Sequence, residues 1–239
     1  MTINGCDGAP REEPAGRAGA PRSVWLRADP ARARRTPPLN RQRIVDAAVA
    51  LLDGHGIDGL TMRRLAQQLD VTPTALYWHV RTKDDVLDLA VDEIFGEVRL
   101  PRDVGDWRDD VRTLARNWRA AILRHPWAAS LIGRPMLGPN VLARTEFLQS
   151  ALVRGGFSDR RLAVATRLLA NYVIGAALTE ATWRQTADPH ARAEARRHIT
   201  ANPTAYPTLG ASGHLDEARW SDDELFDLGL GAILASAPG

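Results

Sequence analysis

The chain has 239 residues, 44% of them hydrophobic and 25% charged, with a formal net charge of +2, values that fit an ordinary globular protein and exclude a wholly disordered chain. The longest apolar run, Leu168–Leu178, is broken by Asn171 and falls short of the roughly 18–20 residues a membrane span needs, so no membrane partner is expected. A lone cysteine, Cys6, excludes an internal disulfide and suits a reducing cytoplasm.

Residues 1–38, with GAPREEPAGRAGAPRS and DPARARRTPP, lack hydrophobic periodicity and are expected to form a disordered basic tail without a secretory h-region. Its Arg32, Arg34 and Arg35 either are solvated or add phosphate contacts. From Asn40 the positions Ile44, Ala47, Ala48, Leu51 and Leu52 recur at helical spacing until Gly54 and Gly56 stop the pattern. Thr61 can then cap a short helix that places Met62, Leu65 and Leu69 on one face.

A third helix of about two turns starts at Thr72 as cap, with Pro73 at the first helical position, where its missing N–H is harmless. At 100° per residue Leu76 and Val80 fall on one side, and Thr74, Ala75, Trp78 and His79 on the other. Thr82 and Asp85 form a capping box for a fourth helix carrying Leu87, Val91, Ile94, Phe95 and Val98.

Helices joined by so short a turn make the helix-turn-helix arrangement, whose second helix enters the DNA major groove. Charge is a poor guide here, because residues 44–98 hold four basic against ten acidic side chains. The argument rests on where Arg63, Arg64, Arg81 and Lys83, the one lysine of the chain, are placed. Arg63 can reach guanine O6 and N7, Tyr77 a phosphate oxygen, and Lys83 with the N–H groups near Thr82 a phosphate at a helix N-terminus. The alternative for Tyr77 and Trp78 is packing against the first and fourth helices.

The stretch NRQRIVDAAVALLDGHGIDGLTMRRLAQQLDVTPTALYWHVRTKDDVLDLAVDEI, residues 40–94, resembles the DNA-binding domain of TetR-type bacterial transcriptional regulators. The resemblance implies that Arg63, Thr72, Thr74, Ala75, Tyr77, Trp78, His79 and Lys83 face DNA. It departs from the family at Asp70, which stands where a Gly is usual, so Asp70 must adopt the left-handed conformation.

Beyond Val98 the helical segments lengthen: Asp106–His125 ended or bent by Pro126, Asn140–Val153, a long helix capped by Ser158 and running through Trp183, a weaker one over 190–200, and Asp222–Ala235 behind a Ser221–Glu224 capping box. No strand alternation appears, so the fold expected is all-α: a three-helix helix-turn-helix module over 39–98, joined by a connecting helix to a larger helical domain over 99–239.

This second part resembles the C-terminal domain of the tetracycline-repressor-like subset. The resemblance implies homodimerisation through a four-helix bundle built from helices near 158–184 and 222–235, where Gly175, Ala176, Ala177, Gly229, Gly231 and Ala232 would permit close approach or else merely pack within one subunit. It also implies a largely apolar cavity for a small-molecule effector. Trp118, His125, Phe147, Asn171, Tyr172, Thr179 and Trp183 combine rings with polar handles and are its candidate lining. The expected function is a repressor that binds a near-palindromic double-stranded DNA operator as a homodimer and is released by the effector; the alternative is an effector-independent DNA-binding dimer.

His190, Glu194 and His198 share one helical face at metal-ligand spacing, but in an Arg-rich stretch such a face is read as solvated. No catalytic or cofactor motif appears, and neither an enzyme nor a cofactor is expected.

Overall fold

The computed structural model describes residues 38–100, 105–131, 137–185, 190–213, 215–216 and 218–235. The expected tail, with Cys6, Arg32, Arg34 and Arg35, lies outside the described residues apart from Pro38. The elements are α1 (Arg41–Gly59), α2 (Met62–Gln68), α3 (Pro73–Tyr77), α4 (Lys83–Gly96), α5 (Trp107–Arg124), a 3₁₀ segment (Pro126–Leu131), α6 (Pro139–Arg154), α7 (Asp159–Gln185), α8 (Ala191–Ala201), α9 (Pro207–Ser212) and α10 (Asp222–Leu234). No strand occurs among the described residues.

Six of the helices begin where a cap side chain satisfies a free N–H group of the first turn. Asn40, Thr61, Thr72, Thr82, Asp106 and Ser221 each accept a backbone N–H two or three residues on. At Thr82 the capping box is complete, whereas at Ser221 the observed bond is the one from Glu224 N–H to the serine hydroxyl. Gly56, with φ 65°, kinks α1 where the expected stop lay. Asp70 takes φ 56° in the turn between α2 and α3, the left-handed backbone its position demands. Asp159 also adopts positive φ, 48°, at the start of α7.

Helix α3 is shorter than the two turns expected. After five residues its last turn tightens, with the N–H groups of His79 and Val80 both donating to the Leu76 carbonyl. The 3₁₀ segment and α9 had no counterpart in the sequence pattern.

One core unites α1 to α4 around Ile44, Leu52, Leu65, Leu76 and Ile94, and extends into Trp127, Leu131 and Val141 of the larger domain. A second core joins α5, α6, α7 and α10 through Leu114, Leu152, Leu169 and Leu230. Trp118 packs against both, so it sits at the junction of the two domains.

Helix α7 is long and apolar enough over Asp159–Arg184 to pass for a membrane span by length and composition, which the unbroken-run reading did not register. Only 22% of that apolar window is buried within the chain. Val164, Leu168 and Leu178 of α7 are exposed, as are Leu225 and Leu228 of α10.

The small residues divide between two roles. A Cβ at Gly229 would lie 2.2 Å from the Tyr172 hydroxyl, so that glycine is required by packing within the subunit. Ala177 is likewise fully buried in the chain, beside Ile122 and Ala129. Gly175 and Gly231 have open space where a Cβ would be.

Candidate nucleic-acid interface and effector cavity

Leu76 and Val80 are buried, and they turn the opposite side of α3 to solvent. Trp78 is 86% exposed and Tyr77 49%. Such large rings left bare on adjoining positions need a partner to cover them. Thr72, Thr74 and His79 are exposed beside them, while Ala75, expected on the bare side, is half-buried. Arg63 is exposed at the start of α2, and its side chain has no hydrogen bond or ion pair among the described residues.

The phosphate reading at Thr82 changes in detail. Asp85 Oδ2 already accepts the N–H groups of Arg81 (2.8 Å) and Thr82 (3.1 Å), and Asp85 N–H donates to Thr82 Oγ1 (3.0 Å). Lys83 is half-buried and donates from Nζ to the Ile57 carbonyl at 2.8 Å, which pins α4 to the end of α1. An ammonium has three donors, so two remain for a phosphate.

The Asp85 carboxyl is held below its ordinary range, first by the Arg81 N–H and then by Thr82. Its contribution to stability is therefore complete above that range and disappears as the pH falls through the lowered value. In thermal melts across pH, wild type should exceed Asp85→Asn at neutral pH, and the gap should close below about pH 4. A gap that does not narrow at all between pH 4 and pH 2 would contradict a charge-dependent cap.

A cavity of about 470 Å³ opens between α4, α5, α6 and α7, lined among others by Phe95, Trp118, Arg144, Leu148, Arg167 and Asn171. Of the seven expected effector residues, Trp118 and Asn171 line it; the other five do not. His125 is buried instead against the reading domain, its Nδ1 2.7 Å from Asp53 Oδ1 and its Nε2 3.2 Å from Glu97 Oε1. Trp127 Nε1 donates to the same Asp53 oxygen at 2.7 Å, so the end of α5 is tied to α1. Phe147 packs into the core of the larger domain.

The Tyr172 hydroxyl donates to the Phe226 carbonyl at 2.9 Å, and its ring stacks on Phe226 at 5.4 Å, so it joins α7 to α10. Thr179 borders a smaller cleft there with Tyr172, Arg119 and Glu180. Trp183 lies under the Arg192 guanidinium, 5.1 Å from the ring centre. On α8 the His198 ring tilts against Tyr206 at 5.8 Å. Among the described residues no three His, Cys, Asp or Glu side chains gather in a way that could hold a metal.

Arginines 144 and 167 escaped the sequence reading, since an Arg on an amphipathic helix is ordinarily solvated. Arg144 is half-buried at the cavity wall, where its Nη2 donates to the Gly96 carbonyl (2.8 Å) and its Nε to the Val98 carbonyl (3.0 Å). Burial pushes this guanidinium below its ordinary value, and Asp92 offsets that in part. Asp92 itself, on α4, accepts the N–H groups of Asn140 and Val141, both at 3.0 Å, and so caps the first turn of α6.

A short helix presenting uncovered rings beside a two-core, all-helical body with its own cavity defines a helix-turn-helix transcriptional regulator with a separate ligand-sized domain. The chain belongs to the TetR family: residues 44–90 match the pattern described as bacterial regulatory proteins, tetR family, and residues 100–236 match the tetracyclin repressor-like C-terminal domain.

Among its relatives, an HTH-type transcriptional regulator of Saccharopolyspora erythraea is 44% identical over 220 residues, covering 91% of this chain and 92% of that one. The transcriptional repressor DrrR1 of Streptomyces coeruleorubidus is 35% identical over 60% of this chain and 54% of its own length. Among solved structures, ActR of Streptomyces coelicolor in complex with actinorhodin superposes with a TM-score of 0.74 at 32% identity, covering 83% of this chain and 96% of that one. A BioQ protein with its double-stranded DNA operator gives 0.55 at 36%, covering 62% of this chain and 91% of the other.

Proposed function

We propose that this protein is a cytoplasmic, homodimeric repressor that binds a near-palindromic operator and is released by a small molecule, with a reading domain over 39–98 and an effector and dimerisation domain over 99–239. The observation that carries the proposal is the bare outer side of α3, with Trp78 86% exposed opposite a fully buried Leu76. Thr72, Thr74, Ala75, Tyr77, Trp78 and His79 would meet the major groove and its phosphate margins, Arg63 a base edge, and Lys83 a phosphate. The exposed leucines of α7 and α10, with open Gly175 and Gly231 among them, would form the bundle with a second copy. The cavity walled by Trp118 and Asn171 would receive the effector. Its work is binding rather than catalysis. The DNA-bound BioQ and the ligand-bound ActR support both halves of the reading.

Selection of binding sites from random duplex DNA is expected to return a two-fold symmetric sequence, because paired reading helices sit about 34 Å apart on half-sites one turn apart. With that sequence, Arg63→Ala should relax preference at one base position by about 1–3 kcal/mol. Lys83→Ala should weaken binding to every sequence and lower the salt slope by about 1. Equal, sequence-blind losses in both variants would remove Arg63 from base reading. Operator binding that no ligand relieves would favour an effector-independent dimer.

A further inference from the structure

We infer that the cavity between α4 and α7 selects a planar aromatic acid, whose anionic group is received by Arg144 and Arg167. This inference rests on the effector reading above and names the chemistry that reading leaves open.

Three observations at the cavity wall converge. Two guanidinium groups line it and, among the described residues, no carboxylate does. Arg167 is exposed at the cavity, and its side chain has no hydrogen bond or ion pair among the described residues. Trp118 lines the same cavity. Phe95 meets the Trp118 ring edge-on, 5.4 Å between centres, and Leu114, Leu148 and Ile174 complete a wall suited to a flat apolar body. Asp92, the carboxylate that influences Arg144, is already engaged at the α6 N-terminus and cannot neutralise it fully.

Arg144 also gives the ligand a route to the reading domain. Its guanidinium holds the Gly96 carbonyl, an orphan acceptor at the C-terminal end of α4, and the Val98 carbonyl just beyond it. A guanidinium satisfying a carboxylate with two parallel bonds gives up donors it was spending on those carbonyls. The end of α4 then keeps only its backbone bonds, from Glu97 N–H to Ile94 and from Val98 N–H to Phe95, and α4 carries Lys83 and the capping box beside α3 at its other end.

The test uses the full-length protein and three ring systems, each as acid and neutral partner: 2-naphthoic acid and 2-naphthamide, anthraquinone-2-carboxylic acid and 2-(hydroxymethyl)anthraquinone, phenazine-1-carboxylic acid and its carboxamide. By calorimetric titration at least one acid should bind ten-fold or more tightly than its partner, and Arg167→Gln should reduce that ratio three-fold or more. The Arg167 side chain has no hydrogen bond or ion pair among the described residues, so this variant reads the ligand rather than stability. Hydrogen exchange over 96–100 should quicken when the bound acid is added to wild type, and should already be fast and unresponsive in Arg144→Gln.

Neutral partners binding as well as their acids, no acid binding at 1 mM, or an acid preference untouched by Arg167→Gln would overturn the inference. Unchanged exchange at the α4 end in an acid-saturated protein would overturn the route through Arg144. A preference for neutral ligands with operator binding intact sinks the acid alone, whereas a protein that selects no DNA sequence sinks the regulator reading.

Discussion

Glu180→Ala is expected to lower the stability of the folded chain by about 3 kcal/mol, read from the urea midpoint of unfolding. Glu180 on α7 and Arg119 on α5 have side chains only 5% and 10% exposed. One carboxylate oxygen accepts from both Nε (2.9 Å) and Nη2 (2.6 Å) of the guanidinium, and the other is paired with Arg184. Removal of one partner of a buried pair leaves the other desolvated, at about 3–5 kcal/mol.

The low end applies because Arg119 keeps Asp223, at 2.6 Å and largely in water, and the Phe226 ring 4.8 Å away. Burial alone would push the Arg119 guanidinium down, but Asp223 and Glu180 together raise it, so the cation is held by both acids. Asp223→Ala, whose carboxylate is exposed, should lower stability by less than about 1 kcal/mol. The double change Arg119→Met with Glu180→Leu should recover most of the loss, since a packed apolar pair of similar volume avoids the desolvation altogether. A Glu180→Ala loss no larger than that of Asp223→Ala would mean that the pair is not isolated from water.

What could be read from the sequence was what local chemistry alone decides. Thr61, Thr72, Thr82 and Ser221 cap helices because a short polar side chain before an apolar period has few other uses. The left-handed backbone of Asp70 came instead from the resemblance, since Asp70 stands where the family usually has Gly. The two sides of α3 followed from 100° per residue.

What could not be read depended on partners distant in the chain. Lys83 finds Ile57, 26 residues away, and His125 finds Asp53, 72 away. Tyr172 and Gly229 fit one another across α7 and α10, so a glycine suited to a dimer seam is spent inside the subunit. Among the cavity residues the reading favoured rings with polar tips and so found Trp118 and Asn171. It missed Arg144 and Arg167, whose presence at a wall rather than in solvent is set by how α6 and α7 pack on α4.

Leu76→Ala should be the most damaging single change in the reading domain, while its neighbour Trp78→Ala should leave the fold almost untouched. Leu76 is fully buried in the core shared by α1, α2 and α4, and its truncation should lower stability by about 2–5 kcal/mol, the lost transfer of the side chain plus the space left behind. Helix α3 has five residues, too few to persist without tertiary support, so Leu76 and Val80 are what hold its outer side in register. Thermal unfolding should report the loss, and DNA affinity should fall for every sequence, because fewer molecules present an ordered α3.

Trp78 is 86% exposed, and surface truncations usually fall within about 0.5 kcal/mol. Its melting temperature should therefore stay near wild type while operator affinity drops. The two variants separate holding the helix from using it. If Trp78→Ala lowered the melting temperature as far as Leu76→Ala does, the ring would belong to the core, and the surface assigned to DNA would have no exposed centre.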